Sequence, residues 1–220
     1  MKSFNEEWEQ IHQSMEWGKY PSENVIRFVA RNYYKRDRKH VRILDFGCGS
    51  GANTWFLARE GFDTYAFDGS KSAVEKAKAH LQAEGLSNVH FDVMDGTEIL
   101  YENEFFDCVI DNVCIYANCL KYINEMYANV HRILKPGGKF FSTCFGTGTS
   151  GYGEGEQIEK NTFCNISKGA LADRAVAHFF TKSELKTLAG GAGFSNIIID
   201  EMTYTDNGIS IEMFIMNAIK

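Results

Sequence analysis

Apolar residues near the start of the chain follow a helical spacing. Residues 4–15 carry a large apolar side chain every three or four positions, which predicts an amphipathic helix. The break at residues 17–21 (WGKYP) ends this helix. Ser22 is then placed to cap a second helix, with Glu23 in its first turn.

Short apolar runs and helix patterns alternate through the middle of the chain. The runs lie at 41–46, 62–67, 89–94, 106–110 and 139–145, and the helix patterns at 52–60, 70–84 and 118–134. This alternation predicts a mostly parallel sheet with helices on both faces. Parallel strands are buried on both sides, and the runs are accordingly almost continuous rather than alternating.

The last third of the chain has a different pattern. A helix at 181–189, with Thr181 as its cap, precedes apolar runs at 194–203 and 209–219. The turn at 205–208 (TDNG) between these runs predicts a hairpin and therefore an antiparallel final pair. Residues 146–155 (GTGTSGYGEG) are half glycine, which favours a mobile loop.

Composition narrows the class of protein. The 220 residues fit one α/β domain, and none of the apolar runs is long enough to span a bilayer. The net charge of −6 disfavours nucleic acid as a partner, although residues 31–42 are basic. Six cysteines form no CxxC pair, and the histidines show no zinc-binding spacing. We therefore expect a cytoplasmic, membrane-free protein with reduced thiols and no metal.

The turn after the first predicted strand is the strongest chemical signal. Residues 45–51 read DFGCGSG, and glycines here let the backbone approach a ligand closely. Asp45 is placed to orient the turn and to meet a ligand's ammonium group. The same turn also fits the dinucleotide pattern GxGxxG/A through Gly47, Gly49 and Ala52. An NAD(P)-linked oxidoreductase thus stays open as an alternative.

Two further strand ends carry carboxylates. Asp68 ends the second strand, where it can accept both hydroxyls of a ribose. Asp95 follows the third strand, where it can accept from an adenine amino group while Met94 packs on the ring. Each aspartate alone is more simply a turn cap. Together they predict one nucleoside site, because the strand order brings these ends to one crevice.

The motifs as a set resemble a known family. DFGCGSG at 45–51, Asp68, the Asp95-Gly96 pair, FDCVI at 106–110 and LKPGGKF at 134–140 are similar to the successive motifs of class I S-adenosyl-L-methionine-dependent methyltransferases of the small-molecule type. The resemblance implies a doubly wound, seven-stranded sheet of order 3-2-1-4-5-7-6 with strand 7 antiparallel. It also implies an N-terminal helical lid.

The resemblance assigns roles along a single domain. Residues 1–38 would form the lid, 41–145 the cofactor-binding core, 146–180 the acceptor-side loop region and 181–220 the C-terminal helix and hairpin. The cofactor-binding residues we expect are Tyr20, Asp45, Gly47, Cys48, Gly49, Asp68, Gly69, Met94, Asp95, Gly96, Asp111 and Asn112.

The implied reaction is in-line transfer of a methyl group from S-adenosyl-L-methionine to a small-molecule acceptor. His178 and Tyr116 are the candidate catalytic residues, although a buried histidine and a core tyrosine are the plainer interpretations. We expect residues 146–155 to be a loose lid with Tyr152 and Phe163 excluding water. A non-catalytic cofactor-binding subunit is a second alternative, and the protein is expected to be a monomer or homodimer.

Overall fold

A seven-stranded sheet forms the centre of the protein, which is described here over all 220 residues by a computed structural model. Its order is β3-β2-β1-β4-β5-β10-β9. The strands of this sheet are β1 (Arg42–Phe46), β2 (Asp63–Asp68), β3 (Val89–Val93), β4 (Phe106–Asn112), β5 (Leu134–Phe145), β9 (Ser195–Asp206) and β10 (Ile209–Ile219).

The predicted topology is confirmed. Strands β1 to β5 pair in parallel, whereas β10 is antiparallel to both β5 and β9. Because three short strands precede β9 in the chain, β9 and β10 correspond to the sixth and seventh strands of the expected order. The turn at 205–208 joins them, with Asn207 and Gly208 in the left-handed conformation that such a turn needs.

Six α-helices cover the two faces. They are α1 (Glu6–Ser14), α2 (Glu23–Tyr33), α3 (Ala52–Arg59), α4 (Lys71–Ala83), α5 (Leu120–Ile133) and α6 (Lys182–Gly191). Ser22 caps α2 and Thr181 caps α6 through a capping box with Glu184, as the sequence predicted. None of these helices combines the length and apolar character needed to cross a bilayer.

The sheet separates two apolar clusters. The larger contains Tyr127, Phe140 and Phe180, and the smaller contains Val29 and Phe141. Neighbouring residues of β5 thus pack into opposite clusters, which explains the continuous apolar runs of the central strands.

A small antiparallel sheet replaces the loop expected between β5 and α6. It consists of β6 (Glu156–Glu159), β7 (Thr162–Cys164) and β8 (Ala177–His178), in the order β6-β7-β8. Asn161, with φ of 61°, occupies the turn between β6 and β7. Sequence reasoning missed this sheet because its strands have only two to four residues.

Candidate active site at the carboxyl ends of the strands

A cavity of about 570 Å³ lies where the central parallel strands end. Its wall combines residues that follow β1 to β5 with residues of the segment 3–22. Ligands of open α/β sheets bind at this edge, because the strand order leaves a crevice there. The predicted cofactor-binding residues on the wall are Tyr20, Gly47, Cys48, Gly49, Asp68, Gly69, Met94, Asp95, Gly96 and Asn112.

The turn after β1 requires its glycines. Gly47 has φ of 67°, and a Cβ there would lie 2.0 Å from Sγ of Cys114. Gly49 has φ of 51° and lies beneath the imidazole of His12, whose Cε1 would be 3.5 Å from an added Cβ. The turn therefore keeps its backbone exposed to a ligand while it packs closely against its neighbours.

Asp68 joins the ends of β1 and β2. Its Oδ2 accepts from the Gly49 N–H at 2.9 Å, and its Oδ1 accepts from the Ser70 N–H at 2.8 Å. Each oxygen retains a lone pair beyond these bonds, and the side chain is on the cavity wall. Burial raises the pKa of the Asp68 carboxyl above its ordinary value, although the two N–H groups and His12 oppose the rise.

Asp95 is fully engaged by donors of this chain. Its Oδ2 accepts from the backbone N–H of Ser3 at 2.6 Å and of Phe4 at 3.0 Å. Its Oδ1 accepts from the hydroxyl of Ser3 and from both the N–H and the hydroxyl of Thr97. Burial alone would raise the pKa of this carboxyl, but these donors hold it well below its usual range.

Phe4 covers the neighbouring glycine. A Cβ on Gly69 would lie 2.2 Å from the Phe4 ring, so the ring rests directly on the backbone after β2. Ser3 and Phe4 together occupy the place beside Asp95 and Gly69 where the sequence predicted a nucleoside.

Comparisons with known proteins agree with this geometry. The family model described as a methyltransferase domain matches residues 37–193, which is more than half of the chain. The chain belongs to this methyltransferase-domain family. The resemblance predicted from the strand-end motifs is thereby confirmed.

Individual relatives show the same fold. A SAM-dependent methyltransferase from Methanosarcina mazei is 25% identical, with a TM-score of 0.68 over 81% of this chain and 92% of that one. A Burkholderia thailandensis 1,6-didemethyltoxoflavin-N1-methyltransferase, solved with its toxoflavin precursor and S-adenosylhomocysteine, is 19% identical, with a TM-score of 0.67 over 90% of this chain and 77% of that one.

Phosphoethanolamine N-methyltransferase 2 of Caenorhabditis elegans is 29% identical over 191 residues, which are 81% of this chain and 40% of that protein. The chain spans about half the length of the curated relatives it matches.

Two predicted cofactor residues of this methyltransferase domain lie behind the wall. Asp45 accepts from the hydroxyl of Thr54 at 2.5 Å and does not line the cavity. Asp111 accepts from the Ser142 hydroxyl at 2.6 Å and from two N–H groups of the next loop. Burial raises the pKa of both carboxyls to about 6. These contacts brace α3 and the loop after β4, while Oδ1 of Asp45 is buried without a partner, so a role of the two residues in cofactor binding stays a prediction.

His178 is also in a different place from that predicted. Its side chain is fully buried in the small sheet, with Nδ1 2.7 Å from the Thr162 hydroxyl and Nε2 3.3 Å from the Glu184 carboxylate. Both ring nitrogens are engaged, and the residue is not on the cavity wall. The structure therefore does not bring His178 to the cavity, and its service as a base stays an untested prediction. Tyr116, the other candidate, does line the cavity.

The glycine-rich loop is not a lid over the cavity. None of residues 146–155 belongs to the wall. The Gly148 N–H donates to the Glu212 carboxylate at 2.8 Å, and the Thr149 hydroxyl donates to the Glu212 carbonyl at 2.9 Å. Tyr152 and Phe163 pack on each other, with ring centroids 5.5 Å apart. The wall residues of 146–180 are instead Ala170, Leu171 and Arg174.

The N-terminal segment supplies two wall residues that sequence reasoning missed, Trp8 and His12. Trp8 and His12 extend from one face of α1 onto the cavity wall, and Trp17 follows in the linker. The Nε1 atoms of both tryptophans and Nδ1 of His12 are buried without a hydrogen-bond partner. The i, i+4 spacing of Trp8 and His12 on the predicted apolar face was the signal for this pair.

Ser22 fastens this segment to Asn112 at the end of β4, whose side chain is also held by Thr143 of β5. The Ser22 hydroxyl donates to Oδ1 of Asn112 at 3.2 Å, and the Thr143 hydroxyl donates to the same oxygen at 3.1 Å. Tyr20, which is mostly exposed, stands at the rim with its ring against Trp55. The cavity is consequently closed on one side by residues 3–22.

Proposed function

We propose that the chain binds S-adenosyl-L-methionine in this cavity and transfers its methyl group to a small-molecule acceptor. The observation that carries the proposal is the glycine cradle of Gly47 and Gly49 beside the partly used carboxylate of Asp68. A cradle that only glycine fits, next to a ribose acceptor, suits a nucleoside ligand with a charged tail.

Residues of this chain fit each part of the cofactor. Asp68 would accept from the ribose hydroxyls, and Met94 would pack on the adenine ring. Ser50 Oγ and Asn53 Oδ1, at the start of α3, are buried without partners on the cavity wall, where the methionine end would use them. The sulfonium of the bound cofactor supplies an activated methyl group, so the protein's task is to bind, orient and exclude water.

Asp95 would receive the adenine amino group by exchange. Its two oxygens have about four lone-pair sites, and five donors of this chain already point at them. Under this proposal Ser3 and Phe4 leave Asp95 when the adenine arrives. The segment 3–4 is thus a strap that opens for the cofactor.

Tyr116 would orient the acceptor. It lies on the wall after β4, edge-on to Phe145 with ring centroids 4.9 Å apart. Burial raises the pKa of its phenol, so the hydroxyl stays protonated and donates a hydrogen bond rather than removing a proton. In-line transfer needs the acceptor atom about 3 Å from the methyl carbon, which this contact would help to fix.

A small acceptor is supported by the cavity and by the relatives. The volume of about 570 Å³ is typical of small-ligand sites. Two of the relatives are named for phosphoethanolamine and for a toxoflavin precursor. The wall near Tyr116 and Phe145 belongs to the open cavity, which favours an enzyme over a non-catalytic cofactor-binding subunit.

The experiment is methyl incorporation from labelled S-adenosyl-L-methionine into pooled small metabolites. We expect label in the small-molecule fraction with the wild-type protein and at least about tenfold less with Asp68→Ala, because the ribose hydroxyls lose their charged acceptor. Asp37→Ala, which removes an exposed carboxylate away from the cavity, is the matched control and keeps full incorporation. Cofactor binding with no incorporation into any pool would contradict the proposal and support the non-catalytic subunit.

A further inference from the structure

The strand order divides the cavity into two ends. Asp68 and Asp95 mark one end, at the tips of β2 and β3, whereas Tyr116 and Phe145 mark the other, after β4 and at the end of β5. Neighbouring strands are about 4.8 Å apart, so the β2 and β5 tips are separated by about 14 Å. The nucleoside carboxylates are therefore distant from the second end.

Arg174 brings a positive charge to the cavity wall from the segment that follows β5. It is the only lysine or arginine on the cavity wall, and no carboxylate lies within 4 Å of it. Its Cζ lies 4.9 Å from the ring centroid of Trp17, and its one hydrogen-bond contact is to the sulfur of Met15 at 3.2 Å. Nearly all of its five N–H donors are consequently available to a ligand.

The charge of Arg174 reaches the groups around it. It opposes the burial that raises the pKa of the Tyr116 phenol. It adds to the burial that lowers the pKa of His12, whereas Asp68 and Glu9 oppose that lowering and Lys76 adds to it. Arg174 shares the cavity wall with Tyr116, His12 and Trp17, and it belongs to the segment that follows β5.

Two indole groups of the wall residues are also donors in need of an acceptor. The Nε1 atoms of Trp8 and Trp17 are buried without partners, and an indole N–H can only donate. Arg174 lies over the Trp17 ring, and His12 contacts the same ring at a tilt, with the His12 and Trp17 ring centroids 5.6 Å apart. A group with several acceptor oxygens and a negative charge would satisfy this set.

We infer that the acceptor end bounded by Trp17, Tyr116 and Arg174 binds an anionic oxygen group, a carboxylate or a phosphate, carried by the methyl acceptor. The inference rests on the proposed function and deepens it by naming the substrate class. The planar guanidinium of Arg174 donates paired hydrogen bonds to the anionic group. Tyr116 and Phe145 contact the apolar part of the methyl acceptor. Ser50 and Asn53 remain for the charged methionine end of the cofactor.

The experiment is a calorimetric titration of the S-adenosylhomocysteine-loaded protein with benzoate, phenyl phosphate and benzamide. We expect the better-bound anion to bind at least about tenfold more tightly than the neutral amide, because the amide offers the guanidinium no charged partner. The order of benzoate and phenyl phosphate tells which anion the site prefers. In Arg174→Gln the advantage over benzamide falls below about twofold, and Arg174→Lys keeps part of it.

Arg59→Gln is the matched control. Arg59 also lies over a tryptophan, 5.4 Å from the ring centroid of Trp55, but neither residue is on the cavity wall. This variant keeps the full preference for the anion.

Each contrary outcome has a definite meaning. A wild-type protein that does not bind S-adenosylhomocysteine contradicts the proposed function itself. Binding of S-adenosylhomocysteine without a preference for either anion overturns only the present inference, as does a preference that survives in Arg174→Gln. A loss of more than about tenfold in S-adenosylhomocysteine affinity in Arg174→Gln would assign the guanidinium to the cofactor's own carboxylate and likewise overturn the inference.

Discussion

Two segments of the chain were candidates to cover the cavity, and they differ in how they do so. Residues 3–22 contribute ten residues to its wall, among them Trp8, His12 and Trp17. The segment 146–180 contributes three wall residues near its end and none from its glycine-rich part. The spacing of apolar residues in α1 predicted which face of this helix packs on the cavity. The glycines of residues 146–155 instead accompany close backbone packing away from the cavity wall.

Removing the first cover should have the largest effect. We expect deletion of residues 2–19 to weaken S-adenosyl-L-methionine binding by at least about 100-fold, or about 2.7 kcal/mol, because one side of the site is lost. The deletion ends before α2, whose Val25 and Val29 are fully buried, so the circular dichroism spectrum should keep its helix and sheet signals. Unchanged affinity by calorimetry would show that the segment is not part of the binding site.

Substitutions in the segment 146–180 should lower the stability of the fold and leave cofactor binding unchanged. Gly169 has φ of 89°, and a Cβ there would lie 2.2 Å from the carbonyl oxygen of Ser150. We expect Gly169→Ala to lower the free energy of unfolding by roughly 2–4 kcal/mol, measured by denaturant titration, with cofactor affinity unchanged. Gly153→Ala, with φ of 82° and no atom near an added Cβ, should cost only about 1 kcal/mol. Equal costs would contradict the packing role.

One buried histidine in each segment sharpens the comparison. Burial lowers the pKa of both His12 and His178 below 6.5. We expect His12→Ala to weaken S-adenosyl-L-methionine binding by roughly tenfold, since its ring covers Gly49 and leaves Nδ1 for a ligand. His178→Ala should leave that affinity and the methyl-transfer rate intact while lowering stability by roughly 1–3 kcal/mol. A turnover defect in His178→Ala at full stability would return it to the active site.

The same histidine makes stability depend on pH. Burial lowers the pKa of His178 in the folded protein below the unfolded value of 6.5, although Glu184 and Glu159 oppose the shift. As pH falls below 6.5 the unfolded state takes up a proton first, so the free energy of unfolding declines towards acid. In His178→Ala this acid-side decline should be shallower, and His12 retains its own share of it. Denaturant titrations between pH 5 and pH 8 measure the two slopes; identical slopes would mean that the pKa of His178 is the same in the folded and unfolded states.

A substitution in the strap of residues 3–4 should have the smallest effect, and it should raise cofactor affinity rather than lower it. Ser3→Ala removes one donor that competes with the adenine amino group, so we expect affinity for S-adenosyl-L-methionine to rise about two- to threefold. Ser14→Ala, on the exposed side of α1, is the control and leaves affinity unchanged. Weaker binding in Ser3→Ala would mean that the hydroxyl helps to hold the cofactor.

The sequence predicted the sheet order and the wall positions of Gly47, Asp68 and Asp95, because these depend on local patterns and on strand topology. It did not show that Asp45 and Asp111 lie outside the cavity wall. Both faces of the parallel strands are buried, so the run of residues does not show towards which face a polar side chain points. Here each carboxylate accepts a hydrogen bond from a nearby hydroxyl group.

The missed residues depend on tertiary docking. His12 and Arg174 meet the same cavity from segments 162 residues apart, and no local pattern links them. His178 was assigned to the site because the chain returns to the sheet there, but the unpredicted strands β7 and β8 bury it against Thr162.

The most direct test of the central claim is calorimetric titration of the wild-type protein and Asp68→Ala with S-adenosyl-L-methionine and with NAD. We predict one S-adenosyl-L-methionine per chain, a loss of roughly 1–3 kcal/mol of affinity in Asp68→Ala, and no comparable binding of NAD. Tight binding of NAD without binding of S-adenosyl-L-methionine, or an affinity indifferent to Asp68, would contradict the assignment of this cavity.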